Sequence, residues 1–219
     1  QEQIRTLIEG LSETPGQEGS VGQKIGMLFA MGMDSVKLNE DGYAPIKDQL
    51  AEINKLGTKD ELTKMVATLH KEGMAPFFAL YVGADEKNSS MNIVQTYQGG
   101  IGMGQRDYYL ENDEQTKNIR NKYQEHIAKM FQLAGYDEAT AQKAVKAVMN
   151  IETRLAKAAR SQVELRDPHA NYNKMDRATL KKNFPTFDWD TYFTVSGLKD
   201  LEEVNIGQPA AMKEVADVI

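Results

Sequence analysis

Apolar residues recur three and four positions apart along most of this chain, in segments separated by polar, glycine-containing turns, which is the pattern of amphipathic helices. Leu62, Met65, Val66 and Leu69 fall at i, i+3, i+4 and i+7 behind Thr58, and Gly73 supplies a stop, so a helix is predicted between Thr58 and Gly73. Thr58-x-x-Glu61 and Ser20-x-x-Gln23 fit the capping box, in which a hydroxyl and a longer polar side chain satisfy free amides of a first turn. Ile119, Tyr123, Ile127, Met130 and Phe131 stripe a long helix over about 114–134. Asp137 then caps another over about 138–160, with Ala141, Val145, Val148, Leu155 and Ala158 on one face. The tight "AGYD" turn between them predicts an antiparallel helical hairpin. Shorter helices are predicted at about 2–10, 21–33, 44–56, 177–183 and 189–195.

Only "FFALYV" (77–82) and "MNIVQTY" (91–97), joined by the polar "GADEKNSS", read as strands. The expected fold is therefore mainly α, a multi-helix domain over 1–219 with one small β-hairpin. No repeat or low-complexity linker interrupts it; "NEDGYAP" near Asp41 and the stretch from Ser161 to Asn173 are expected joints between helical packets.

Composition narrows the classes. Of 219 residues, 41% are hydrophobic and 26% charged, ordinary for a folded protein. A formal net charge of −6 argues against a nucleic-acid or anionic-membrane partner, since both bind through clustered Lys and Arg. No run approaches the ~18 consecutive apolar residues of a membrane span, and residues 1–20 lack a signal pattern. Zero cysteine excludes a disulfide scaffold and thiolate chemistry but leaves the compartment open. Gln1 in place of a starting Met, and a closing "AAMKEVADVI" that reads as an interrupted amphipathic helix, create the expectation of a longer parent.

Four glycines in "GGIGMGQRDYYL" (Gly99–Leu110) raise the question of a phosphate loop. A dinucleotide fingerprint needs G-x-G-x-x-G, yet Gln105 or Asp107 occupies the sixth position, and no Gly-Lys-Ser/Thr follows. Asp107, Glu111, Asp113 and Glu114 would repel phosphate. A turn using glycine for positive φ and close backbone approach is expected instead, with Arg106 pairing to Asp107 and the tyrosines packing on the helical body.

His70, His126 and His169 are the only imidazoles. His70 precedes Lys71 rather than Glu, and in "KYQEH" Lys122 holds the place of a first ligand, so neither H-E-x-x-H nor its inverted form is present. The charges of Glu152–Pro168 (Glu152, Arg154, Arg160, Glu164, Arg166, Asp167) fit either a partly buried ion network or a solvated face. Asn88-Ser89-Ser90 is a glycosylation triplet by pattern, common by chance and without weight.

The order of segments is more specific. The β pair running into "GGIGMGQRDYYL", then "YQEHIAKMFQLAG", "IETRLAKAARSQVELRDPHANYNKM", "FPTFDWDTYF" and "NIGQP", resembles the N-terminal helical domain of the neprilysin and endothelin-converting enzyme family of zinc endopeptidases, over roughly residues 20–212. Gly99–Leu110 is similar to that family's "GGLGLPxRDYYL" block, with Gly104 and Gln105 in place of Pro and an acidic residue. The absence of cysteine points to a bacterial member.

The resemblance implies the covering lobe of a two-lobed enzyme that encloses a cavity and gates peptide entry. Zinc and its ligands would lie in a C-terminal catalytic lobe outside this chain, which leaves catalytic, cofactor-binding and metal residues at none here. Implied partners are peptide substrates and that lobe, with the Glu152–Asp167 charges the expected contact, in an extracytoplasmic protein. The alternative is a stand-alone helical binding or scaffold domain without peptidase activity.

Overall fold

The computed structural model describes residues 1–219, which form twelve α-helices and one four-stranded sheet. The chain divides into two compact units, Gln1–Ala51 and Glu52–Ile219.

In the first unit, α1 (Glu2–Glu13) packs against α2 (Val21–Met33), followed by α3 (Ser35–Asp41), a single 3₁₀ turn (Ala44–Ile46) and the start of α4 (Lys47–Ile53). Ser20 Oγ accepts from the Gln23 amide while Gln23 Oε1 accepts from Gly19 N, so the cap forms one residue displaced from the reciprocal box. Only Gly26 is buried in α2, and Leu28, Met31, Met33 and Val36 are 66–73% exposed.

The second unit carries the sheet and the core. After α5 (Lys59–Lys71), whose Thr58–Glu61 capping box is complete, β1 (Phe78–Asp85) and β2 (Asn88–Gln98) form the antiparallel hairpin, with Phe78 opposite Gln98. The hairpin is longer than the pattern suggests: most of "GADEKNSS" lies in the strands, and only Glu86 and Lys87 turn the chain. Exposed polar strand ends carry no alternation, so they read as loop.

Two short strands extend the predicted hairpin. β4 (Glu203–Ile206) runs parallel to β2, Val94 beside Val204, and β3 (Lys174–Asp176) pairs antiparallel with β4, giving the order β1-β2-β4-β3. β2 is thereby an interior strand, and its Ile93, Val94, Gln95 and Thr96 are all buried.

α6 (Asp107–Leu110) leads into α7 (Glu114–Leu133), which packs on α8 (Glu138–Ala158) across the predicted turn at Gly135. The Asp113 and Asp137 carboxylates cap α7 and α8 by accepting from Thr116 and Thr140 amides. The chain then passes through a 3₁₀ turn at Glu164–Arg166 to α9 (Pro168–Asn171), α10 (Arg177–Asn183), α11 (Trp189–Val195) and α12 (Pro209–Val218).

The largest side chains of the core are Trp189, Tyr192, Phe78 and Phe193, all under 2% exposed or close to it. Phe187 bridges Phe78 and Trp189 with tilted and edge-on rings, the arrangement that the aromatic quadrupole favours. α5, β1, β2 and α11 meet around this cluster, which fixes the sheet end from which the glycine-rich segment departs.

Candidate functional site

The glycine-rich segment leaves β2 and passes directly beneath Phe77. Gly100 has φ +72°, and a Cβ there would lie 2.5 Å from the Phe77 Cα, 2.8 Å from its carbonyl oxygen and 3.0 Å from Leu155 Cδ1. Phe77 itself is the single non-glycine residue with positive φ (+65°). An aromatic residue held in the left-handed region costs of order 1–3 kcal/mol and persists only where its surroundings over-determine it. Here Gly100 allows the backbones to touch and the adjacent Phe78 anchors the aromatic core.

Beyond Gly100 the segment docks on a carboxylate. Glu152 of α8 accepts from the Tyr109 hydroxyl at Oε2 (2.6 Å) and from the Tyr123 hydroxyl at Oε1 (3.0 Å), while the Tyr109 oxygen accepts from the Met103 amide. Burial, then the neighbouring carboxylate, pushes the Tyr109 phenol far above its ordinary value, and the same causes push Tyr123 up to about 12. Both phenols are neutral donors throughout the physiological range. Gly102 completes the hub, because a Cβ there would overlap the Tyr123 hydroxyl and sit 3.3 Å from Glu152 Oε1.

The expected Arg106–Asp107 pair does not form. Arg106 donates to the Ala159 carbonyl at 2.8 Å and lies 3.8 Å from Glu164, tying the end of the segment to the end of α8. The guanidinium thereby satisfies a carbonyl at the C-terminal end of α8 that has no partner within the helix, where the helix dipole favours a cation.

The charges of Glu152–Asp167 do not gather into one ion network. Arg154 pairs with Glu214 of α12 at 2.6 Å, Glu164 accepts from Ser161, Asp167 caps α9, and Arg166 is exposed. Arg160 is half-buried and donates to Asn171 Oδ1 at 2.8 Å.

What holds the joint from Ser161 to Asn173 is amide chemistry. Gln98 pairs both ways with the Arg160 backbone, its Nε2 donating to the carbonyl and its Oε1 accepting from the amide. Gln208 Oε1 accepts from the Gln98 amide, and Gln208 Nε2 donates to Asn171 Oδ1. Asn205 Nδ2 donates to Gln95 Oε1 and to the Asn171 carbonyl, and its Oδ1 accepts from Asn173 N at 2.6 Å. Asn205 and Gln208 are each 3% exposed, so "NIGQP" is a buried polar clamp rather than a ligand loop. Sequence reasoning missed it because amides give no periodic signal.

The imidazoles are dispersed over α5, α7 and α9. His70 lies between the Tyr192 hydroxyl (2.5 Å from Nδ1) and the Phe78 carbonyl (2.7 Å from Nε2). Since a carbonyl only accepts, Nε2 carries the proton and Nδ1 accepts from Tyr192. His126 and His169 are exposed. No three His, Asp or Glu side chains converge, and both His70 nitrogens are engaged in hydrogen bonds.

Burial lowers the His70 pKa below its ordinary 6.5, only partly offset by its backbone hydrogen bonds. Its contribution is full above the unfolded value of 6.5; as pH falls below that, the unfolded chain takes up a proton that the native ring resists, and stability drops until native His70 titrates. The melting temperature should therefore fall between pH 7 and 5 more steeply in the natural chain than in His70→Gln. Equal slopes would remove His70 as the source.

Above the Glu152 hub an open cleft of about 480 Å³ is lined by Ala75, Pro76, Phe77, Gly100, Ile101, Gly102, Val148, Ile151 and Glu152. Val148, Ile151 and Glu152 share one face of α8 by their i, i+3, i+4 spacing, so the cleft has apolar walls and a carboxylate at one end.

The sequence profile of Peptidase family M13 matches residues 1–219. The chain belongs to that family. Endothelin-converting enzyme 1 of Rattus norvegicus is 30% identical over 201 residues, 86% of this chain and 26% of that enzyme. Neprilysin-3 of Drosophila melanogaster is 29% identical over 148 residues, 65% of this chain and 19% of the relative.

The fold superposes on the Mycobacterium tuberculosis zinc metalloprotease Zmp1 in complex with inhibitor at a TM-score of 0.84 and 31% identity, covering 99% of this chain and 33% of that one. PepO from Lactobacillus rhamnosis shares the fold at a TM-score of 0.78 and 18% identity. The chain thus spans about a quarter of the rat endothelin-converting enzyme 1 and a third of the Zmp1 structure.

Proposed function

We propose that residues 1–219 act as the N-terminal covering lobe of a zinc-dependent metalloendopeptidase, shaping and gating the way in for peptides, while zinc and its ligands belong to a separate catalytic lobe. We assign no catalytic, cofactor-binding or metal residue to this chain. The observation that carries the reading is coverage: 99% of this chain superposes on one third of a zinc metalloprotease. A lobe in that position contributes by excluding water and bulky substrates and by hinge motion, while the metal supplies the polarised carbonyl and activated water elsewhere.

The interior supports the reading as well. Glu152 holds Tyr109 and Tyr123 in place, Arg106 donates to the Ala159 carbonyl, Arg160 donates to the Asn171 side chain, and the Asn/Gln clamp ties Gln98, Asn171 and Asn205 together. Such groups shape a scaffold rather than attack a substrate. From the absence of cysteine we propose a bacterial parent, and from the family membership one working outside the cytoplasm; no helix here is long and apolar enough to cross a membrane.

Reading the gene beyond Ile219 tests this. An H-E-x-x-H sequence followed by a further Glu is the expected result; a stop codon soon after would favour a stand-alone binding module.

A further inference from the structure

Glu152 has two phenol hydroxyls as its hydrogen-bond partners and stands in none of the ion pairs of the chain. Each carboxylate oxygen accepts one hydrogen bond and keeps a second lone pair. The carboxylate is half-buried and lines the open cleft, and Gly102 leaves it uncovered where any side chain would intrude. The remaining walls, Pro76, Phe77, Ile101, Val148 and Ile151, are apolar.

A partly desolvated charge beside an apolar surface is complementary to a ligand that pairs an aliphatic body with a cationic head. About 480 Å³ is within the range of small-ligand sites and admits two adjacent side chains. The Phe77 backbone forms the rim at positive φ and packs closely on Gly100 within the free chain, so the wall is preformed rather than assembled on binding.

We propose that this cleft binds a peptide segment in which an apolar residue is followed by Lys or Arg. The apolar side chain packs between Phe77, Ile101 and Val148, and the basic head donates to the free lone pairs of Glu152. The inference deepens the reading of this chain as a lobe that meets peptides, and it concerns binding alone, with no bond made or broken.

NMR titration of chain 1–219 with acetyl-Leu-Arg-amide, acetyl-Leu-norleucine-amide and acetyl-Leu-Glu-amide tests it. Amide shifts at Gly100, Ile101, Gly102 and Glu152 are expected, with the Arg peptide at least tenfold tighter than the Glu peptide. Glu152→Gln keeps an acceptor for the tyrosines and should bring the Arg and norleucine peptides to equal affinity. Val148→Lys places a cation one helical turn from Glu152 without touching either tyrosine, so it should abolish the Arg preference even if Glu152→Gln fails to fold. Equal binding of all three peptides, shifts confined to other regions, or no shift at the peptide solubility limit would overturn the proposal. Any of those outcomes leaves the peptidase reading intact, since that reading is tested by the downstream gene and by hydrolysis.

Discussion

Replacing Gly100 by alanine should destabilise the Glu52–Ile219 unit by about 2–5 kcal/mol, the sum of a left-handed backbone cost of roughly 1–2 and an overpacking cost of roughly 1–3. The added Cβ meets Phe77 Cα and carbonyl oxygen, which are backbone atoms of a residue already at positive φ, so neither side can yield by rotating a side chain. Urea unfolding followed by Trp189 fluorescence measures it, because the single tryptophan lies in the core that Phe78 joins. Gly104→Ala is the control: it shares the positive φ (+77°) but meets nothing within 4 Å, and should cost only about 1–2 kcal/mol. Equal losses at the two sites would mean that the Phe77 contact contributes nothing.

The second large effect is expected at Asn171. Its side chain accepts from Arg160 and Gln208 and donates to the Leu165 carbonyl, so Asn171→Ala strands the buried Gln208 amide and frees the joint from its clamp. With each buried unpaired group costing about 1–3 kcal/mol, a loss of about 2–4 kcal/mol is expected. Asn171→Asp retains both accepted bonds and gains charge complementarity with Arg160, so it should lose less than half as much. A loss below about 1 kcal/mol for the alanine variant would show that water replaces the amide, and that the network is solvated rather than buried.

These two sites divide what the sequence discloses from what it hides. The glycine segment was legible: failed phosphate-loop spacing and acidic neighbours left a turn with positive φ and close approach, and Gly100 and Gly104 both show positive φ. Helices with a strong stripe and an acidic or hydroxyl cap, such as α2, α7, α10 and α11, start where their caps lie. α6 and α9 are four residues long, too short for a 3.6-residue period to declare itself, and α3, with Val36 and Leu38 exposed, buries no residue that would mark a face.

β3 and β4 escaped for a different reason. Three- and four-residue strands carry almost no alternation, and β4 pairs with β2 across more than a hundred residues of sequence, so its existence is a property of the fold. The Glu152 hub was half visible: dense charge marked the region, yet the partners are phenols from α6 and α7, and local spacing cannot report contacts that a helical hairpin creates. Arg106 shows the same limit, since proximity in sequence suggested Asp107 and tertiary structure supplied Ala159.

The central claim, that this chain covers a zinc centre and contains no hydrolytic machinery itself, is tested most directly by mass-spectrometric analysis of a peptide mixture incubated with pure chain 1–219, with added zinc and with a chelator. The account predicts an unchanged peptide spectrum in both conditions; zinc-dependent, chelator-sensitive cleavage by the pure chain would contradict it.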